Sequence, residues 1–178
     1  MLTTSSLTAI ANSLRDLANF VEDTAIESLH EVSLPFSEIR DGYPADALSA
    51  LKAWSATKAR YIYKFSVLDH ACEPLHFSFE LAKKSKKDNR AYCRLNAPSP
   101  QLYVGSSLDL DSRIKQHLGF GNKSIYAMQL CHWLPPGEGT LHIQAWRFGI
   151  QIDAAVVQAI EDGLWAENRP MLGRQGAR

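Results

Sequence analysis

The chain has 178 residues, which is enough for one complete hydrophobic core and too short for two ordinary domains. Hydrophobic residues make up 46% of it and charged residues 21%, which excludes a disordered tail and indicates a folded globular protein. The formal net charge is 0, which excludes a strongly basic or acidic chain, although an excess of Lys and Arg after residue 58 is compatible with a polyanionic partner.

The cysteines and the amino-terminal residues indicate the cellular compartment of the protein. Cys72, Cys93 and Cys131 are widely spaced and form no CxxC pair. We therefore expect reduced thiols, with neither a disulfide framework nor a zinc site. The amino terminus lacks a basic segment before an apolar one, and no run approaches the roughly 20 apolar residues that span a bilayer. We expect a cytoplasmic protein that is not embedded in a membrane.

The amino-terminal segment has helical periodicity. Apolar residues from Leu7 to Val21 recur at three- and four-residue steps, which predicts an amphipathic helix over residues 6 to about 30. The apolar stripe of this helix needs a partner surface. We expect a homodimer or another protein to dock there.

Residues 33–44 combine two prolines with Asp-Gly, which indicates a connecting loop. Residues 45–58 again have helix-forming composition. We therefore expect residues 1–58 to be a helical extension, followed by a second unit over residues 59–178.

The pattern changes near residue 60, where we expect the sheet to begin. The segment YIYKFSVL is rich in aromatic and branched residues, which predicts a strand. The segment LHFSFELA alternates Phe77, Phe79 and Leu81 with polar neighbours, which predicts another strand.

The next segment, KKSKKDNR, is polar and basic, which indicates a loop between strands. Runs of charge are usually solvated, so we favour a solvated hairpin tip. The alternative is that Lys83, Lys84, Lys86 and Lys87 contact phosphates.

The segment QLYVGSS resumes the strand pattern and ends near Gly105. Apolar residues from Leu110 to Leu118 then step by four, and Gly119 is a natural helix stop. A short helix over residues 125–133 should come next.

The segment LHIQAWRFGI predicts the next strand, and Asp153 is a suitable cap for a last helix that ends at about Asn168.

Arg113 and His117 lie four positions apart, so they project from one face of the helix and can address one site. The simpler alternative is that Arg113 pairs with Asp109 and His117 interacts with the helix end.

Glu161 lies within the apolar stripe of the last helix, between Val157 and Leu164. Folding would partly desolvate this carboxylate, which is costly unless a cation or a metal ion compensates it. A salt bridge to an arginine of the sheet, such as Arg147, is the structural alternative.

Together these motifs resemble the GIY-YIG nuclease superfamily over about residues 60–176. The tripeptides Tyr-Ile-Tyr and Tyr-Val-Gly are followed by the arginine-histidine helix and the glutamate helix, in the order of that family. The residues that match are Tyr63, Tyr103, Arg113, His117 and Glu161.

The resemblance implies an α/β (α+β) fold with a small, mainly antiparallel sheet flanked by helices, and metal-dependent cleavage of DNA. Glu161 would hold Mg²⁺ or another divalent cation such as Mn²⁺. Tyr63 would act as general base or orient the water, and Tyr103 would position water and phosphate. Arg113 would bind a phosphoryl oxygen, and His117 would donate to a phosphate or share the proton of the base.

The neighbouring residues Ser106 and Lys115 are further candidates for nucleic-acid contacts. The chain departs from the family in having Tyr61 for its first glycine. Tyr63 and Tyr103 are also 40 positions apart, which implies a hairpin inserted at about residues 70–100.

Gly173 lies where the family tends to carry an asparagine, and Asn168 on the last helix is a possible substitute. A noncatalytic nucleic-acid-binding or assembly protein on the same scaffold is the alternative function. Binding of a small phosphorylated ligand is the third hypothesis.

Overall fold

The computed structural model describes residues 1–68 and 72–176. Two single 3-10 turns, Lys87–Asn89 and Leu130–His132, accompany the regular elements. In chain order the helices and strands are α1 (Thr4–Glu22), β1 (Ser28–Pro35), α2 (Phe36–Asp41), α3 (Ser49–Trp54), β2 (Arg60–Leu68), α4 (Cys72–Lys84), β3 (Gln101–Ser107), α5 (Leu110–Leu118), β4 (Thr140–Phe148) and α6 (Ala154–Asn168).

The fold is α+β, with a four-stranded antiparallel sheet in the order β1-β4-β2-β3 and helices around it. Side chains alternate between the faces of the central strand β2. Tyr63 and Phe65 point into the main core, and Ile62 packs with Phe148 and Val157 in a smaller cluster beneath α6. Because β3 is an edge strand, the two faces of the sheet meet at its open side.

The prediction of a purely helical extension over residues 1–58 was wrong. Helix α1 ends at Glu22, and residues 28–35 form strand β1, which pairs with β4 from Ser28 opposite Arg147 to Pro35 opposite Thr140. The sheet therefore begins at residue 28 and not near residue 60. The pairing decides this outcome, because β1 is an edge strand and its interstrand hydrogen bonds all come from β4, which lies far away in sequence.

Two short helices follow β1. Helix α2 lies in the segment predicted to be a loop, where Phe36 and Ile39 are buried. Helix α3 lies within the predicted helix over residues 45–58 and buries Leu51. Both helices cover the same core face, so the amino-terminal segment belongs to the domain that holds the sheet.

The central elements match the sequence prediction. Strands β2, β3 and β4 and helices α5 and α6 lie where the patterns place them. Gly119 has a left-handed φ of 101° after α5, and Asp153 accepts a hydrogen bond from the Ala155 amide at the start of α6. The predicted helix over residues 125–133 was wrong, because that segment contains only the 3-10 turn at residues 130–132.

The predicted strand and inserted hairpin after residue 70 were also wrong. Residues 72–84 form helix α4, in which Leu75, Phe79 and Ala82 are buried. Phe77 would share a face with Phe79 in a strand, but it is 59% exposed. The four- and three-residue steps of the buried positions fit a helix, and a window of eight residues contains both patterns. The side chains of Phe79, Tyr92 and Trp133 pack edge to face.

Helix α1 has no buried residue and lies beside α6. Leu7, Ile10 and Leu14 are at least half exposed. Docking of a second copy or another protein on this face stays a prediction. Within the described ranges, no helix combines the length and apolar character that crossing a bilayer requires.

The two phenylalanines of α4 provide a stability test. We expect Phe79→Ala to lower the free energy of unfolding by about 3–5 kcal/mol, because it leaves a cavity in the core. We expect the matched control Phe77→Ala to change it by less than about 0.5 kcal/mol. Chemical denaturation followed by circular dichroism measures both. Equal losses would contradict the helical assignment.

Candidate active site

A cleft of about 890 Å³ opens at the β3 edge of the sheet. Four of the five predicted catalytic residues line it: Tyr63, Tyr103, Arg113 and Glu161. The fifth, His117, is fully buried and contacts the Tyr63 hydroxyl. The tertiary fold therefore brings together residues that are almost 100 positions apart in sequence.

The pairing of β2 with β3 positions the two tyrosines. Tyr63 lies opposite Gly105, and Tyr103 lies opposite Phe65. The two tyrosine rings are nearly parallel, with centroids 6.3 Å apart. A Cβ atom at Gly105 would lie 2.7 Å from Tyr63 Oη and 2.8 Å from Tyr103 Cε1. Glycine is therefore required for both side chains to reach the cleft over β3.

Gly173 closes the other side of the Tyr103 ring. Its φ is +92°, and a Cβ atom there would lie 2.8 Å from Tyr103 Cε2. Its amide donates to the Arg94 carbonyl at 2.8 Å, and its carbonyl accepts from Asn96 Nδ2 at 2.9 Å. The residue at this position serves to pack the ring. Asn168 bonds to Lys64 at 3.5 Å and is not among the residues that line the cleft.

Arg113 joins the two tyrosines. Its Nε donates to Tyr63 Oη at 3.3 Å, and its Nη2 donates to Tyr103 Oη at 3.4 Å. Its Nη1 donates to Gln116 Oε1 at 2.9 Å and to the Tyr126 carbonyl at 3.3 Å. These bonds fix the plane of the guanidinium group at the cleft.

The simpler alternatives for Arg113 and His117, pairing with Asp109 and interaction with the helix end, do not describe this arrangement. Asp109 caps α5 by accepting from the Ser112 amide at 3.1 Å, and Arg113 bonds to the tyrosines. His117 lies in the core and interacts with Tyr63 rather than with the end of the helix.

His117 is held in one tautomer. The Met128 amide donates to its Nδ1 at 3.4 Å, which makes Nδ1 the acceptor. In a neutral ring the proton is then on Nε2, which lies 3.2 Å from Tyr63 Oη. Tyr63 Oη therefore accepts hydrogen bonds from both Arg113 and His117. Its own proton remains available for a third partner in the cleft.

Burial controls the ionisation of these groups. It raises the pKa of the Tyr63 phenol well above its ordinary value, Tyr103 raises it further, and Arg113 acts in the opposite direction. Burial and then the charge of Arg113 lower the pKa of His117 well below its ordinary value. Burial acts to lower the pKa of Arg113, but the facing tyrosine hydroxyls raise it overall. The resting site thus holds a neutral phenol and imidazole beside a permanent cation.

Glu161 reaches the cleft from the opposite face of the sheet. Ser106 lies opposite Ile62 in the β2–β3 pairing, so it points toward α6. Its Oγ donates to Glu161 Oε2 at 2.6 Å, a charge-assisted hydrogen bond that helps to offset desolvation of the carboxylate. Arg147, the alternative partner, forms an ion pair with Glu27 at 3.3 Å.

The donors around Glu161 suit a hard divalent cation. Mg²⁺ is commonly held by one or two carboxylates together with waters and substrate phosphates. Gln158 lies one turn before Glu161 and also lines the cleft, and its Nε2 donates to Asp162 at 3.1 Å. The Gln158 amide therefore offers a second oxygen. Among the described residues, no group of three or more His, Cys, Asp or Glu side chains forms a protein-only metal cage.

Some of the residues predicted to contact nucleic acid line the cleft, and others do not. Ser106 and Lys83 line the cleft, and Lys83 Nζ donates to the Cys93 carbonyl at 2.7 Å. Lys84 forms an ion pair with Glu80 on the solvent side of α4.

Lys115 lies with Nζ 5.4 Å from the centre of the Tyr43 ring, away from the cleft. Lys86 and Lys87 follow α4 and are exposed. These three lysines are not among the lining residues.

Six lining residues were missed by sequence reasoning: Tyr92, Cys93, Arg94, Tyr126, Gln158 and Arg174. Gln158 could have been found from its spacing of three before Glu161 on the same helix. The other five lie outside helices and strands, where the sequence has no periodicity to indicate the direction of their side chains.

No family model, curated protein or solved structure matches the chain. The resemblance to the GIY-YIG superfamily therefore stays a prediction that depends on the motifs in the sequence.

The buried neutral His117 should make stability depend on pH. The unfolded histidine takes up a proton near pH 6.5, and the folded one does so only at much lower pH, so the unfolded state binds more protons between these values. The stabilisation is complete above about pH 6.5 and is lost as the pH falls. The contribution is up to about 1.4 kcal/mol per pH unit.

Denaturant unfolding of the wild type and His117→Gln between pH 7.5 and pH 5 measures this contribution. We expect the variant to be less stable at neutral pH and to lose less stability on acidification. A variant that keeps the full pH slope of the wild type would contradict the buried neutral state.

Proposed function

We propose that the protein is a metal-dependent endonuclease that hydrolyses DNA phosphodiester bonds. The observation that carries this proposal is the joining of Tyr63, Tyr103 and Arg113 by hydrogen bonds in a cleft that also contains Glu161. These are residue types that phosphodiester hydrolysis needs, namely a cation for the phosphate, hydroxyls to orient water and an oxygen ligand for a metal.

Arg113 is the residue that we assign to the phosphate. Its charge is permanent, and two hydroxyls and two further oxygens already hold its guanidinium group in place. A preoriented cation stabilises the negative charge of a pentacoordinate phosphoryl group without rearranging first. Tyr103 Oη, bonded to the same group, orients the phosphoryl oxygens.

Tyr63 is assigned to the attacking water. Its raised pKa disfavours a free phenolate, so we favour the orienting role over that of a general base. Its hydroxyl is fixed by Arg113 and His117 and aims its remaining hydrogen-bonding capacity at the cleft. The water oxygen bonds to phosphorus as the bond to the leaving oxygen breaks. A phosphoryl oxygen or solvent takes the proton.

Glu161 is assigned to Mg²⁺ or Mn²⁺, with Gln158 as the neighbouring oxygen donor. When bound, such an ion supplies Lewis-acid stabilisation of the phosphoryl and leaving oxygens. Ser106 keeps the carboxylate turned toward β3. Cleavage of both DNA strands would need two such sites, so a homodimer or a protein partner through α1 belongs to the same hypothesis.

A noncatalytic nucleic-acid-binding protein is the second candidate. Of the described residues that line the cleft, Glu161 alone has an acidic side chain, and the Tyr63 phenol is strongly disfavoured as a base. Both observations are compatible with a scaffold that binds phosphates without cutting them.

Plasmid nicking separates the two candidates. We expect the purified protein to nick plasmid DNA with Mg²⁺ and to stop on addition of EDTA. Glu161→Gln should lower the rate by roughly 10²-fold or more, because it removes the charged metal ligand. Tyr63→Phe should lower it by a similar factor. Glu167→Gln, an exposed position on the same helix, is the matched control and should keep full activity.

Nicking that survives EDTA or both site variants would point to a contaminating enzyme. Tight DNA binding without nicking under any divalent cation would favour the noncatalytic candidate.

A further inference from the structure

We propose that the strand bound in the cleft is unpaired, with Tyr126 stacked on one of its bases and Arg94 and Arg174 on the flanking phosphates. The cleavage of this strand depends on the proposed function, whereas its binding can be measured separately. None of the three residues belongs to the motifs that carry the resemblance to the nuclease family, and their placement at the cleft comes from the tertiary structure.

Arg94 and Arg174 are brought to the same rim of the cleft by the backbone. The Asn96 amide donates to the Met171 carbonyl at 2.7 Å, and the Gly173 amide donates to the Arg94 carbonyl at 2.8 Å. A bridge between Leu95 and Leu172 lies between these bonds. The pairing of these two segments therefore places Arg94 close to Arg174, although the two residues are 80 positions apart in sequence.

Among the described cations of the cleft, these two arginines are the ones whose side chains have no partner within the protein. Lys83 donates to the Cys93 carbonyl and Arg113 donates to the tyrosines. Arg94 and Arg174 are both exposed, and neither side chain makes a hydrogen bond or an ion pair within the described ranges. Two free guanidinium groups at one rim suit successive phosphates of a polyanion better than a single small anion.

Tyr126 presents an uncovered aromatic ring at the cleft. The residue is 71% exposed, although its carbonyl is fixed by the hydrogen bond from Arg113. The backbone is thus tied to the residue that we assign to the phosphate, while the side chain remains open to a ligand. Exposed aromatics beside a positive groove are the arrangement that stacks unpaired bases.

The depth of the site favours an unpaired strand over a duplex. Tyr63 is only 1% exposed, so a phosphate must enter the cleft to approach its hydroxyl. The bases of an intact duplex are stacked on one another and are not free to stack on a protein ring. A single strand can bend its backbone inward and rotate a base onto Tyr126.

Binding to the uncleaving variant Glu161→Gln tests the proposal. Fluorescence anisotropy with a labelled single-stranded DNA and its duplex should show at least about tenfold tighter binding of the single strand. Tyr126→Ala should weaken single-strand binding by roughly 5- to 150-fold, the range measured for loss of one base–aromatic stack. Tyr126→Phe keeps the ring and should bind like its parent.

The arginines are tested by the salt dependence of the same binding. Arg94→Ala and Arg174→Ala should each reduce the slope of log K against log salt by about 0.7, the value for one phosphate contact of a single strand. Lys115→Ala removes a cation outside the cleft and should leave the slope unchanged.

The outcomes separate this inference from the proposed function. Equal affinity for single strand and duplex, no binding to either, or unchanged binding by Tyr126→Ala would overturn the inference, even where plasmid nicking persists. Single-strand preference lost in Tyr126→Ala and kept in Tyr126→Phe would support it, even where the wild type cuts nothing. Circular dichroism melting verifies that each variant is folded.

Discussion

The site depends on how the buried hydroxyl of Tyr63 is satisfied. A phenol with 1% exposure needs hydrogen-bond partners, because an unpaired polar group in the core costs about 1–3 kcal/mol. Arg113 and His117 supply them from α5. The same two bonds fix α5 against β2 and hold the guanidinium group between the tyrosines. The same hydrogen bonds therefore stabilise the core and position the residues of the site.

The edge position of β3 explains how two faces of one sheet serve one cleft. Tyr63 and Arg113 approach from the main core, and Ser106 and Glu161 approach from the side of α6. Only at an open edge can side chains of both faces contact the same ligand. Gly105 permits this by leaving room for the Tyr63 hydroxyl at the strand.

The segment between β2 and β3 shapes the entrance to the cleft. Helix α4 is anchored in the core through Phe79, and the chain then returns past the cleft and pairs with residues near the end of the protein. This pairing places Arg94 and Arg174 at one rim. The alternation of aromatic residues in this segment predicted a hairpin, which was wrong. The segment nevertheless contributes residues to the cleft, including Lys83 and Arg94.

The sequence alone determined the elements whose signals are local. Strands β2, β3 and β4 have β-rich runs, and α5 and α6 have apolar periodicity with caps at Asp153 and Gly119. Order and spacing also placed Arg113 and His117 on one face.

The tertiary structure alone decided the rest. Strand β1 exists through its pairing with the distant β4, and α4 was chosen over a strand by which of its aromatic residues the core could bury. The direction of each side chain decides that Lys83 lines the cleft and Lys84 does not. Backbone hydrogen bonds between remote segments place Arg94 near Arg174. Contacts of this kind form between segments that are distant in sequence, so local propensity cannot indicate them.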